Sequence, residues 1–367
     1  MAVYLHLFET EAQFQNKRIN DYYEPWASLT TESDDRVDYN KTEEEKILTT
    51  PFTIEALGSG NITWKLRTKT VQYSKNGGSW GTMNSATTIP VVAGDEVRFK
   101  GTNTNYSGNT ISATTQFNVK GNIMSLTDGD EFYTAVTVNV NGFSALFSRC
   151  KYLVSASDLK LPATTLASSC YSSMFSGCTG LTTAPELPAT TLADYCYDNM
   201  FFGCTSLTTA PELPATTLAN YCCASMFNGC TSLTTTPELP ATALTSNCYQ
   251  YMFAGCTGLT AAPELPATTL ASNCYCYMFD SCTNLTTAPV LPATTLVNSC
   301  YYRMFYRCTK LNYVKAMFVY LNPSNATSGW LYGVASTGTF VKSTSATWTT
   351  TGADGVPTGW TVERASS

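Results

Sequence analysis

The chain has 367 residues, 44% hydrophobic and only 13% charged, with a formal net charge of −6. That length suits two or three domains, and the apolar content excludes a disordered polar tail. The single histidine, His6, all but excludes Ser-His-Asp and Cys-His catalysis, and no glycine-rich phosphate loop or histidine-rich metal motif is present.

Residues 1–20 lack a basic stretch followed by a sustained apolar run, so no signal peptide is predicted. No run of about 18 apolar residues marks a membrane span. The expectation is synthesis in a cytoplasm, without standard export. Residues 1–50 form an N-terminal arm: ETEAQFQNKRIN predicts one helix, followed by Tyr22, Tyr23 and Trp26 and the acidic stretch Thr42–Lys46. The arm either packs on the next domain or orders on a partner through those three aromatic anchors.

Residues 51–141 change character. FTIEAL, NITWKLR, TVQYS, TIPVV, DEVRFKG and TTQFNVKG are short β-branched and aromatic runs bounded by Gly, Asn and Ser. Ser74–Gly78 contains Asn-Gly, which supplies the positive φ values of a tight hairpin. A small β-sandwich acting as spacer or connector is predicted.

From Gly142 a different grammar takes over. Leu-Pro recurs at Leu161, Leu187, Leu213, Leu239, Leu265 and Leu291, and Met-Phe at Met174, Met200, Met226, Met252, Met278 and Met304, both with a period of 26 residues. A constant period of this size predicts a solenoid, in which no unit buries its apolar face alone. Leu192, Cys196 and Met200 lie at i, i+4, i+8, which predicts a short helical segment. Leu181–Leu187 reads as an extended rung in which Pro185 restricts ladder pairing, so stacked rungs would make a narrow parallel sheet. The first unit, with Phe147, Cys150 and Leu153, is worn and longer, as expected of an end cap. The solenoid is assigned 142–311. Residues 312–367, with Trp330, Trp348 and Trp360, are a β-rich cap. The fold class is mainly β with short helices.

Twelve of the fifteen cysteines belong to the repeats, Cys150 sits in the worn unit, and Cys223 and Cys276 are extras. They read as stacked buried thiols in preference to disulfides, and the Cys-x7-Cys spacing disfavours zinc. Glu186, Glu212, Glu238 and Glu264 share one repeat position. A stacked pair would approach the carboxylate separation of retaining glycosidases, but a catalytic pair needs two different environments and a ladder offers four similar ones. A solvated ladder is expected, ahead of cation binding. LPATT is similar to a sortase signal but lacks its closing Gly, apolar segment and basic tail.

No Lys or Arg occurs between Leu161 and Tyr302, against seven acids. Such a surface repels nucleic acid and anionic membranes. The positions that vary between repeats hold Tyr, Ser and Asn, residues suited to adaptable contacts. They make Tyr197, Asp198, Tyr249, Tyr251, Tyr275, Tyr277, Tyr301 and Tyr302 the candidate binding residues. No catalytic residue, metal or cofactor is assigned.

The motif C-x-x-L-x-x-x-x-x-L-P, with its aromatic and closing Cys, resembles the BspA-like leucine-rich repeats over roughly 142–340, with Met in place of the usual small residue before Phe and a longer unit. YYEPWASLTTESDDRVDYNK (22–41) resembles the opening of fibre proteins from phages of gut Bacteroidetes. The resemblance implies a non-enzymatic virion protein, a head or tail fibre or decoration protein. Its N-terminal region would contact other virion proteins and its solenoid a host glycan or protein receptor, without membrane insertion. By analogy it implies a homotrimer, although no heptads support one. The alternative it leaves is a BspA-like adhesin on a bacterial surface.

Overall fold

The computed structural model describes residues 42–366 except Thr68 and Ser324, and of Glu43 and Glu44 the backbone alone. The helix predicted over 9–20, His6 and the anchors Tyr22, Tyr23 and Trp26 lie outside the described residues. The chain divides into two units, Met1–Lys46 and Ile47–Ser367. The acidic stretch forms the start of helix α1 (Glu43–Thr49). Thr42 and Glu45 build a reciprocal capping box there: the Glu45 N–H donates to Thr42 Oγ1 at 3.2 Å, and the Thr42 N–H to Glu45 Oε2 at 2.8 Å.

The second unit is mainly β. Its first part is a two-sheet sandwich. One sheet holds β1 (Thr53–Ala56), β3 (Val71–Lys75), β4 (Gly81–Met83), β6 (Glu96–Lys100), β8 (Phe117–Asn122) and β9 (Leu153–Lys160), in the order β4-β3-β6-β1-β8-β9. The other is β5-β2-β7, from β2 (Gly60–Trp64), β5 (Thr88–Val91) and β7 (Ile111–Ala113). Two short helical turns follow, α2 (Ser125–Asp128) and a 3-10 turn over Gly129–Thr134. Asn76 and Gly77 carry the positive φ values the hairpin requires, 51° and 72°. The turn is locked from outside: Asp95 accepts from Asn76 Nδ2 at 2.7 Å, pairs with Lys75 at 2.7 Å, and accepts the Val92 N–H at 2.8 Å.

The sandwich is more than a spacer. Strand β9 belongs to the worn first repeat, yet it pairs in parallel with β8 of the sandwich. The two extra residues of that repeat lie in the segment carrying β9, where register irregularities interrupt its pairing. Packing is continuous across the same junction. Phe147 lies 5.8 Å from Phe52 of the sandwich and 5.2 Å from Phe175 of the next repeat. Trp64, Tyr106, Phe143 and Tyr171 stack in sequence at 5.5, 6.1 and 6.0 Å. The sandwich is therefore the first layer of the repeat stack, sharing both its sheet and its core.

Successive repeats stack with an offset of one unit. Phe175, Phe201, Phe227, Phe253, Phe279 and Phe305 form one buried column, with nearly parallel rings 5.4–5.7 Å apart. Each buried Phe contributes on the order of 2 kcal/mol through removal of apolar surface. On the extended side, single-residue parallel bridges join Thr165 to Thr191, Thr191 to Thr217 and Thr209 to Thr235. The sheet is narrow, as the prolines dictate.

The opposite side is not helical. Tyr195, Asn199 and Gly203 all have positive φ (59°, 54°, 68°), and the same three positions do so in every repeat. A left-handed residue at every fourth position breaks the i→i−4 pattern and leaves a ribbon of β-turns. Cys196, Asp198, Met200 and Phe202 donate their N–H groups three residues back, at 3.1–3.2 Å. Tyr195, Tyr197, Asn199, Phe201 and Gly203 donate theirs to carbonyls of the next repeat, at 2.8–3.1 Å. All nine N–H groups from Tyr195 to Gly203 are satisfied, five of them between repeats. Leu192, Cys196 and Met200 do face inward, but a ribbon rather than a helix places them there.

Stacking also continues beyond Leu311. Strand β10 (Tyr313–Ala316) pairs in parallel with β11 (Thr339–Lys342), and β11 with β12 (Thr361–Arg364). Trp330 packs on Tyr301 at 6.3 Å, and the Phe305 N–H bonds to the Trp330 carbonyl at 2.9 Å. The predicted cap is a run of degenerate repeats, whose three tryptophans fill the end of the core.

Candidate binding face

The turn ribbon sorts its side chains in pairs. Cys196 and Tyr197 point inward, Asp198 and Asn199 outward, Met200 and Phe201 inward again. This sorting corrects the candidate set. Tyr197, Tyr249, Tyr275 and Tyr301 are core residues, exposed by only 1%, 2%, 2% and 1%. Tyr249 stacks on Tyr275, and Tyr275 on Tyr301, at 6.0 Å. They cannot meet a ligand without unfolding the ribbon. The sequence carried a signal for this: their column reads Phe143, Tyr171, Tyr197, Cys223, Tyr249, Tyr275, Tyr301 and never takes a charged or amide residue.

The remaining candidates reach the surface. Tyr251 and Tyr277 stack at 4.4 Å with an interplanar angle of 11°, and Tyr302 meets Tyr277 edge-on at 5.4 Å. Asp198 is half-buried on the column that carries Tyr302, several repeats away, and accepts from Asn199 Nδ2 at 2.8 Å. Burial raises its carboxyl above the ordinary carboxylate range.

Further surface residues join them, of which Arg303 lies at a position that varies between repeats. Arg303 lies over the rings of Tyr277, Tyr302 and Tyr306 at 5.7, 5.4 and 5.0 Å, and its Nη1 donates to the Tyr277 hydroxyl at 3.0 Å. Arg307 lies over Tyr306 at 5.0 Å, and Tyr306 stacks on Tyr332 at 5.0 Å. A second exposed stack, Tyr195 on Tyr221 at 4.7 Å, sits in earlier repeats. Knowing which columns face outward would have found all of these.

No protein-family model and no curated protein matches this chain. The site must be read from its own chemistry. Glu186, Glu212, Glu238 and Glu264 are exposed, with Glu186 paired to Lys160 at 3.1 Å. Glu238 and Glu264 border a shallow groove of about 300 Å³ between Pro237, Pro240, Pro263 and Pro266. Both carboxylates share the same solvated setting, whereas acid–base work needs two different ones. Among the described residues no group of three or more His, Cys, Asp or Glu is placed to hold a metal ion, and no helix is long and apolar enough to cross a membrane. All fifteen cysteines are free and buried.

Proposed function

We propose that this protein is a non-enzymatic virion component, a head or tail fibre or decoration protein of a phage that infects Bacteroidetes. The stacked array is read as a leucine-rich-repeat solenoid of the BspA-like kind, fixed to the particle through the N-terminal region. Its turn-ribbon face meets a glycan or protein receptor on the host surface, and a homotrimer is the assembly that the fibre analogy favours. The observation that carries the reading is the division of the ribbon: its inward Cys, Met and Phe columns are constant through the six full repeats and the inward Tyr column changes only at Cys223, while its outward columns change residue from repeat to repeat. A fold that keeps its core and varies one face suits recognition. The resemblance of residues 22–41 to phage fibre openings supplies the biological setting. The repeat resemblance also supports a bacterial surface adhesin as the second reading.

Adsorption tests the proposal. Purified protein added to host cells should compete with phage and slow adsorption. A Tyr251→Ser, Tyr277→Ser variant should compete at least about tenfold less well, equivalent to about 1.4 kcal/mol of binding. Equal competition by the variant would count against this face.

A further inference from the structure

The outward columns are not uniform along the stack. In the first full repeat the ribbon presents Ser172, Ser173 and Ser176; at the corresponding places further on it presents Tyr302, Arg303 and Tyr306. Cations are absent from Leu161 to Tyr302, and then two guanidinium groups enter together within an aromatic cluster. Among the described residues neither guanidinium lies within ion-pair distance of a carboxylate. Asp280, half-buried, feels both guanidinium groups electrostatically and accepts a hydrogen bond from Ser281 Oγ at 2.9 Å.

The two arginines differ in role. Arg303 is half-buried, held among three rings and by the Tyr277 hydroxyl, so its orientation is set before any ligand arrives. A guanidinium has five donors, and among the described residues this one donates a single hydrogen bond, to Tyr277. Arg307 is exposed on the flank of Tyr306. Beside them Tyr251 and Tyr277 offer a flat stacked edge, and Tyr332, 53% exposed, extends the surface past Tyr306.

Resting on the receptor-binding reading above, we infer that the ribbon face from Tyr251 to Tyr332 is a site for a carboxylate-bearing polysaccharide. Sugar rings lie along the outward edges of the stacked tyrosines, where the phenolic hydroxyls meet the sugar hydroxyls. The carboxylates pair with Arg307 and with the free edge of Arg303, where charge-assisted bidentate bonding is strongest. A neutral polysaccharide would use the tyrosines alone, and a polyphosphate has no sugar ring to lie along them.

The test is affinity electrophoresis of the full chain through gels containing polygalacturonate, with neutral dextran gels in parallel. The expected result is retardation by polygalacturonate that weakens with salt and falls at least about tenfold in the Arg303→Gln, Arg307→Gln variant. Arg307→Gln alone keeps the ring-packed Arg303 in place and should lose part of the retardation. Thermal melting of both variants shows whether they are folded, and Glu212→Gln, on the extended side, should behave as wild type. No retardation in polygalacturonate, or equal retardation of wild type and the folded double variant, overturns the inference. Retardation by dextran alone would also overturn it, while leaving the receptor-binding reading standing. Failure of the protein to compete in adsorption would sink that broader reading instead.

Discussion

At the scale of single residues, the repeat cysteines show why a thiol is kept in a core position. The Cys204 Sγ donates to the Phe175 carbonyl at 3.1 Å, and Cys230, Cys256, Cys282 and Cys308 each do the same to the corresponding Phe, at 3.0–3.1 Å. The Phe175 carbonyl also accepts the Cys178 N–H at 3.0 Å, so both of its lone pairs are used. Burial pushes the Cys170, Cys230 and Cys282 thiols up to about 12, which leaves almost no thiolate at about pH 8. Cys222 is the exception, lowered by its bond with Cys223, but all fifteen are buried, so a thiol reagent should find almost none of them in the native protein and all of them in denaturant without reductant. A lower denatured count would reveal disulfides. Two aspartates give opposite pH signatures. Bonds from Lys75, Asn76 and Val92 hold the Asp95 carboxyl down to about 2 from its ordinary 3.8, so its stabilisation is present above that ordinary value and is lost as pH falls towards 2. Burial raises Asp198, so its charged form costs stability as pH rises through the carboxylate range. Melting curves should show Asp95→Asn destabilising at neutral pH and matching wild type near pH 2. Asp198→Asn should be more stable than wild type at neutral pH, with the gain gone in acid.

At the scale of elements, the junction between sandwich and array is the point of greatest consequence. Phe147 bridges Phe52 and Phe175, and β9 completes the sandwich sheet, so neither part presents a finished surface to the other. Phe147→Ala should cost about 3–5 kcal/mol, as large-to-small core substitutions do. It should lower the unfolding midpoint seen in the sandwich and in the array together. Two separate transitions, with only one shifted, would contradict a shared core. The sandwich strands, the Asn76-Gly77 turn and the period of 26 were all legible in the sequence, because each depends on local residue types or on repetition. The ribbon was not. Inward pairs such as Cys196-Tyr197 and Met200-Phe201 fit a helical stripe almost as well as a four-residue ribbon. The discriminating mark was weaker: Gly177, Gly203, Gly229 and Gly255 in one column, with Asn and Ser common four and eight residues earlier. Glycine accepts a left-handed conformation without the Cβ penalty, and Asn tolerates it better than most. That same misreading placed Tyr197, Tyr249, Tyr275 and Tyr301 on the surface and left Arg307 out of the candidate face.

At the scale of the whole molecule, the second unit is one stack running from the sandwich through regular repeats to degenerate ones. Along the way the outward columns that begin with Ser172, Ser173 and Ser176 come to hold Tyr302, Arg303 and Tyr306. The cluster of Arg303 and Arg307 with its tyrosines lies in the later repeats, away from the sandwich end. The proposed virion role rests on that arrangement together with the resemblance of residues 22–41. Immunogold labelling of purified phage particles, with antibody raised against residues 142–367, tests it most directly. Gold is expected on the capsid or tail of intact particles; bare particles with gold on the bacterial envelope would contradict the virion role and favour the adhesin.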